Sequence, residues 1–148
     1  MLFRSQKLRS GEIMEYKIRT RSKRTRRMIE HIMPSLIKQL GLERSHAYVL
    51  IDICHNVGED NTGCTIPITG CNSYIVAIKP DSWQQMGITL AHEMVHVRQL
   101  AKGLLRAENG KKYWRGKLYS NRVKYTDMPW EQDALARQEI IFRRAIGD

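Results

Sequence analysis

The sequence contains no apolar run long enough to cross a bilayer. Its first residues alternate charges with single apolar side chains, so they lack the apolar core of a secretory signal. The expectation is a cytoplasmic monomer with no membrane partner. Cysteine is scarce, with only Cys54, Cys64 and Cys71. No C-x-x-C pair occurs, which argues against a zinc ribbon. An odd count without a secretory signal favours free thiols, with a Cys64–Cys71 bridge as the alternative. Cys54 closes the mostly apolar run 49–54 and reads as a small buried residue. Internal repeats and low-complexity segments are also lacking. At 148 residues and 42% hydrophobic content, the chain is long enough to bury one ordinary core.

What is present is His92-Glu93-Met94-Val95-His96, an H-E-x-x-H run. On a helix, residues four apart share a face, so two imidazoles at this spacing can converge on one metal. Glu93 lies about 100° further round and can reach the open side of that metal. The flanks supply the helix. Leu90, Met94, Val97, Ala101 and Leu104 recur at three- and four-residue steps, and Gly103 suits a C-terminal cap. A catalytic zinc needs a third protein ligand. His96 is not followed by G-x-x-H at the spacing of one metallopeptidase branch, and no histidine occurs after it. That leaves an acid, a cysteine or an upstream residue. Glu131 stands out by its setting. Pro129 suits the first turn of a second helix, Asp127 its N-cap, and Trp130, Ala134, Ile141 and Ala145 its apolar face. Asp133 is the competing acid, about 200° away from Glu131 on that helix.

These motifs resemble the gluzincin metallopeptidases. The tract Tyr113-Trp114-Arg115-Gly116, the later Tyr125, and Pro129-Trp130-Glu131 with Ala134 narrow the likeness. They are similar to minigluzincins and to the compact SprT-like proteases of microbes and bacteriophages. The resemblance covers about residues 45 to 146. It implies one zinc ion on His92, His96 and Glu131, Glu93 as general base, and a peptide or protein substrate. It further implies an α+β fold: a small zincin-like domain with a short mixed sheet, an active-site helix and a C-terminal helix carrying the third ligand. A phage-encoded member would work in the host cytoplasm. The SprT-like likeness adds DNA-bound proteins as substrates. For the oxyanion, Tyr125, Tyr113, Tyr119 and Arg115 are candidates, with Tyr125 favoured.

The net charge of +10 is clustered. Residues 1–27 carry ten Lys/Arg against Glu12 and Glu15, and residues 98–124 carry nine against Glu108. Such clusters mark a polyanion-binding surface or simply a soluble basic face. Arg24, Arg26, Arg27, Lys111, Lys112 and Arg115 are the candidate nucleic-acid contacts, with Trp114 able to stack on bases. A third possibility is a basic nucleic-acid-binding module with a non-catalytic zinc.

Along the chain, residues 1–21 read as a basic, weakly structured arm, with 12–18 able to form a short strand. Residues 22–148 read as one metallopeptidase domain. Within it, 22–40 predict a helix capped by Ser22 and kinked or broken by Pro34. Residues 47–54 and 73–79 predict strands, and 58–70 a polar turn region. The site helix spans about 82–102, residues 110–120 form a hairpin or strand, and the last helix starts near 129. The resemblance to the gluzincins implies that the strand before the site helix edges the cleft, where a peptide could pair with it.

Overall fold

The computed structural model describes residues 14–58 and 60–147. The fold is α+β, with three helices, a four-stranded mixed sheet and a three-stranded antiparallel sheet among the described residues. Strand β1 (Glu15–Arg19) leads through helix α1 (Lys23–Gln39) into β2 (Tyr48–Ile53), which lies parallel to it. A parallel pair needs such a crossover, and α1 supplies it. The edge strand β3 (Gly63–Pro67) precedes β4 (Ser73–Ile78), and the sheet order is β1-β2-β4-β3 with β3 antiparallel. Register aligns Ile18, Ile51 and Val76 across the sheet, and all three are buried.

Helix α1 contributes Ile29, Ile32, Met33, Leu36 and Ile37 to the core, and α2 (Trp83–Ala101) contributes Leu90, Met94 and Val97. Each such side chain is worth about 1.5–3 kcal/mol when fully buried. Ser22 caps α1 by accepting from Thr25 N at 3.1 Å, and Ser82 caps α2 by accepting from Gln85 N at 3.2 Å. The second sheet follows α2 as β5 (Leu105–Glu108), β6 (Lys111–Trp114) and β7 (Lys117–Tyr119). A 3-10 turn over Tyr125–Asp127 then leads into α3 (Pro129–Ile146), which packs along α2. That packing is close. A Cβ added to Gly87 would stand 2.1 Å from Cε1 of Phe142.

Several sequence expectations are corrected. Residues 63–67, inside the segment read as turn, form β3. Its half-exposed side chains and terminal Pro67 suit a sheet edge but give no apolar pattern. Consequently β4 lies between β2 and β3, and the free edge beside α2 belongs to β3. Pro34 does not break α1, which runs continuously from Lys23 to Gln39. It sits on the exposed side of the helix. Asp127 is in the 3-10 turn, and the N-cap of α3 is Met128, with Pro129 opening the helix. Strand β5 extends the expected hairpin. Asn109 and Gly110 both have positive φ, as a tight two-residue turn requires. Of the expected arm, residues 15–19 form a sheet strand, and residues 1–13 lie outside the described residues. Among the described residues, no helix is long and apolar enough to cross a membrane. Cys54, Cys64 and Cys71 are free thiols.

Candidate metal centre

Helix α2 presents His92 and His96 one turn apart, with ring centroids 4.9 Å apart and the planes near perpendicular at 81°. The first turn of α3 brings Glu131 between them. Glu131 Oε1 lies 3.0 Å from His92 Nε2, and Oε2 lies 3.1 Å from His96 Nε2. One ligand atom from each of the three residues falls within 4.8 Å of the others. Asp133 does not join them. Its carboxylate accepts from Gln99 Nε2 at 2.9 Å and pairs with Arg137 Nε at 2.8 Å.

The outer ring nitrogens are also held. His92 Nδ1 lies 2.8 Å from Gln138 Oε1, and His96 Nδ1 lies 2.8 Å from Gln99 Oε1. An amide oxygen only accepts, so each Nδ1 carries a proton. In the neutral rings both Nε2 lone pairs then face the Glu131 carboxylate. Acceptors facing acceptors at these distances need a proton or a cation among them. This donor set, two imidazole nitrogens and a carboxylate, fits a metal such as zinc.

The electrostatics follow from the same geometry. Burial alone would lower both imidazole pKa values, but Glu131, the Glu93 charge and the carboxamides of Gln138 and Gln99 together outweigh it, and both are raised above 6.5. Burial would raise the Glu131 carboxyl, yet His92, His96 and the Tyr125 hydroxyl together pull it down to about 2. Burial pushes the Glu93 carboxyl up, against the opposing pulls of His96, the Thr65 hydroxyl and His92. Glu93 is not part of the converging trio. Thr65 Oγ1 lies 2.8 Å from its Oε1 and donates to it. Thr65 is on β3, whose approach to α2 depends on a missing side chain. A Cβ on Gly63 would come within 2.6 Å of Thr89 Cγ2.

The site opens on a cleft with two arms. One, of about 260 Å³, runs past His96 between β3 and the second sheet, lined by Leu100, Leu105, Lys112 and Trp130. The other, of about 290 Å³, runs past His92 along Gln85, Ile88, Leu135 and Gln138. Tyr125 borders both arms. Its ring is largely exposed while its hydroxyl hydrogen-bonds Glu131; desolvation first, then Glu131, raises its pKa. The other oxyanion candidates line neither arm. Tyr119 packs edge-on against Trp130, Arg115 sits over the Trp114 ring, and Tyr113 lies under Arg106.

The candidate nucleic-acid contacts fall on different elements, Arg24, Arg26 and Arg27 on α1 and the others on β6 or directly after it. The N-termini of α1 and α2 border a common cavity through Ser22, Thr25, Asp81 and Met86. The far ends also meet, since a Cβ on Gly41 would touch Lys102 Nζ. The two helices therefore run side by side, and the second sheet follows the C-terminus of α2. Arg24 and Arg27 lie in the first turns of α1, whereas Lys112 lines the cleft beside His96. Arg26 is committed internally, donating to the carbonyls of Ile18 and Thr20.

Gln99, Gln138 and Thr65 carry no motif that marks them in the sequence. Gln99 follows His96 by three residues and Gln138 follows Glu131 by seven, so helical periodicity puts each near its ligand's face. Thr65 has not even that signal, because its role exists only once β3 lies over α2. Comparison of the chain with protein-family models, with curated proteins and with solved structures finds no match.

Proposed function

We propose that the protein is a zinc-dependent endopeptidase of the gluzincin type, built on a zincin-like fold. One observation carries the reading: two imidazoles from one helix meet a carboxylate from another, with Glu93 beside them at an open cleft. His92, His96 and Glu131 would hold the ion, which leaves the fourth position for water. Zinc bound there would acidify that water and polarise a substrate carbonyl. Glu93 takes a proton from the attacking water and delivers it to the leaving amine. A general base works best with its pKa moved toward the operating pH, and burial raises that of Glu93. The Tyr125 hydroxyl is the side-chain donor best placed to stabilise an oxyanion.

The substrate is an extended polypeptide laid along the free edge of β3. Main-chain pairing to that edge would bind peptides with little regard for sequence. A second reading, in which the substrates are DNA-bound proteins, draws support from the basic, aromatic second sheet beside the cleft. Lys112 stands over Trp130 and Lys117 over Tyr119 there.

Hydrolysis of an unfolded protein, measured together with zinc content, tests the reading. Glu93→Gln should keep zinc and lose about 10²- to 10⁴-fold in turnover. Glu131→Ala should lose zinc. Near wild-type turnover in Glu93→Gln would reject the mechanism.

A further inference from the structure

Gln99 is fully buried at 0% exposure, an uncommon place for a carboxamide. All its polar atoms are engaged. Its Nε2 donates to the carbonyl of Trp130 at 2.9 Å and to Asp133 Oδ2 at 2.9 Å, and its Oε1 faces His96 Nδ1 at 2.8 Å. A carbonyl and a carboxylate can only accept. Turning the amide over would set its oxygen against both acceptors. The amide orientation is therefore forced, and with it the proton on His96 Nδ1. Arg137 pairs with the other Asp133 oxygen at 2.8 Å and holds that carboxylate in place. The second donor bond is just as specific, because Trp130 immediately precedes Glu131.

We propose that Gln99 is the positioning residue of the metal centre. It fixes His96 with Nε2 free to coordinate, and it anchors the peptide carrying Glu131, so one buried side chain sets two ligands on different helices. Asp133, the acid that competed with Glu131 in the sequence, orients Gln99 instead of binding metal. This inference rests on the metal reading given above. Outer partners of metal-bound histidines typically change metal affinity about 10- to 100-fold when removed.

The test is zinc competition against a chromophoric chelator, using the full chain, with melting of the metal-free protein alongside. Gln99→Met keeps the length of the side chain and removes every hydrogen bond. It should weaken zinc binding about 10- to 100-fold. Gln99→Glu keeps the acceptor for His96 but turns its other oxygen toward Trp130 O and Asp133, so it should weaken binding too. Adding Asp133→Asn to Gln99→Glu restores a donor between the two side chains and should recover part of the affinity. Space-filling alone predicts a lower melting temperature in Gln99→Met, with wild-type zinc affinity in the folded protein and no rescue by Asp133→Asn. That result would overturn the proposal and leave the metal reading standing. If Gln99→Met does not fold, the Gln99→Glu protein and its Asp133→Asn partner decide between the same outcomes. Wild-type protein that fails to bind zinc would overturn the metal reading and this inference with it.

Discussion

Gly87→Ala sets two well-known effects against each other. In a helix interior, alanine is favoured over glycine by about 0.8–1.0 kcal/mol. At this position the added methyl would stand 2.1 Å from Cε1, 2.8 Å from Cδ1 and 3.0 Å from Cζ of Phe142. The ring cannot swing aside easily, because Phe142 is only 4% exposed and Trp83 tilts against it at 6.1 Å. Overpacking of this kind costs about 1–3 kcal/mol, so the clash should outweigh the propensity gain. The net loss, up to about 2 kcal/mol, corresponds to a melting temperature lower by up to roughly 8 °C for a domain of this size. Calorimetry of the metal-free protein reads it directly. In a Phe142→Ala background no ring remains to meet the methyl, and the same Gly87→Ala change should then stabilise. A sign reversal between the two backgrounds is the signature of direct contact. Stabilisation by Gly87→Ala in the wild-type background would refute the close α2–α3 crossing that brings Glu131 to the histidines.

The parts of this molecule legible in the sequence are those whose signal is local. The helix bearing His92 and His96 announces itself through Leu90, Met94 and Val97, and all three are buried. Glu131 is singled out by Pro129 and the apolar face of α3, and it joins the His pair. The cap on α1 is readable from Ser22 for the same reason. What is not legible depends on neighbours distant in sequence. Strand β3 has too few buried side chains to show a pattern, and it becomes a strand by pairing with β4. Thr65 and Gly63 matter only through α2, which packs over that strand. The charge clusters illustrate the converse. Arg24 and Arg115 belong to similar basic segments, but the fold sets one in the first turn of α1 and the other between β6 and β7. Asp133 resembles a ligand by composition and is turned by helix geometry toward Gln99.

Three further outcomes follow from the site and the surface. Thr65→Val keeps the shape of the side chain and removes the donor that lowers the Glu93 pKa. Zinc content should be unchanged while the acid limb of the pH–rate profile moves to higher pH, and an unmoved limb would separate Thr65 from the base. Replacing Lys111, Lys112 and Arg115 together with Ala should make the salt dependence of DNA affinity shallower, by about 0.9 for each phosphate that is no longer neutralised. An unchanged slope, or no DNA binding at physiological salt, would exclude that sheet as a DNA-binding surface. The last outcome concerns the metal-free protein. The Glu131 carboxyl falls from 4.5 to about 2 on folding, so its contribution is present above pH 4.5 and fades as the pH drops toward 2. His92 and His96 are raised above 6.5, so theirs is complete below pH 6.5 and is lost as the pH rises through the higher folded values. Glu93, also raised, acts in the same direction above its unfolded value of 4.5. Metal-free protein should therefore melt at its highest temperature between about pH 4.5 and 6.5. Zinc takes the place of the protons shared among these groups, so loading should remove the alkaline decline. Melting curves from pH 3 to 9, with zinc and with chelator, decide it. An alkaline decline equally steep in both would show that the trio does not bind the ion.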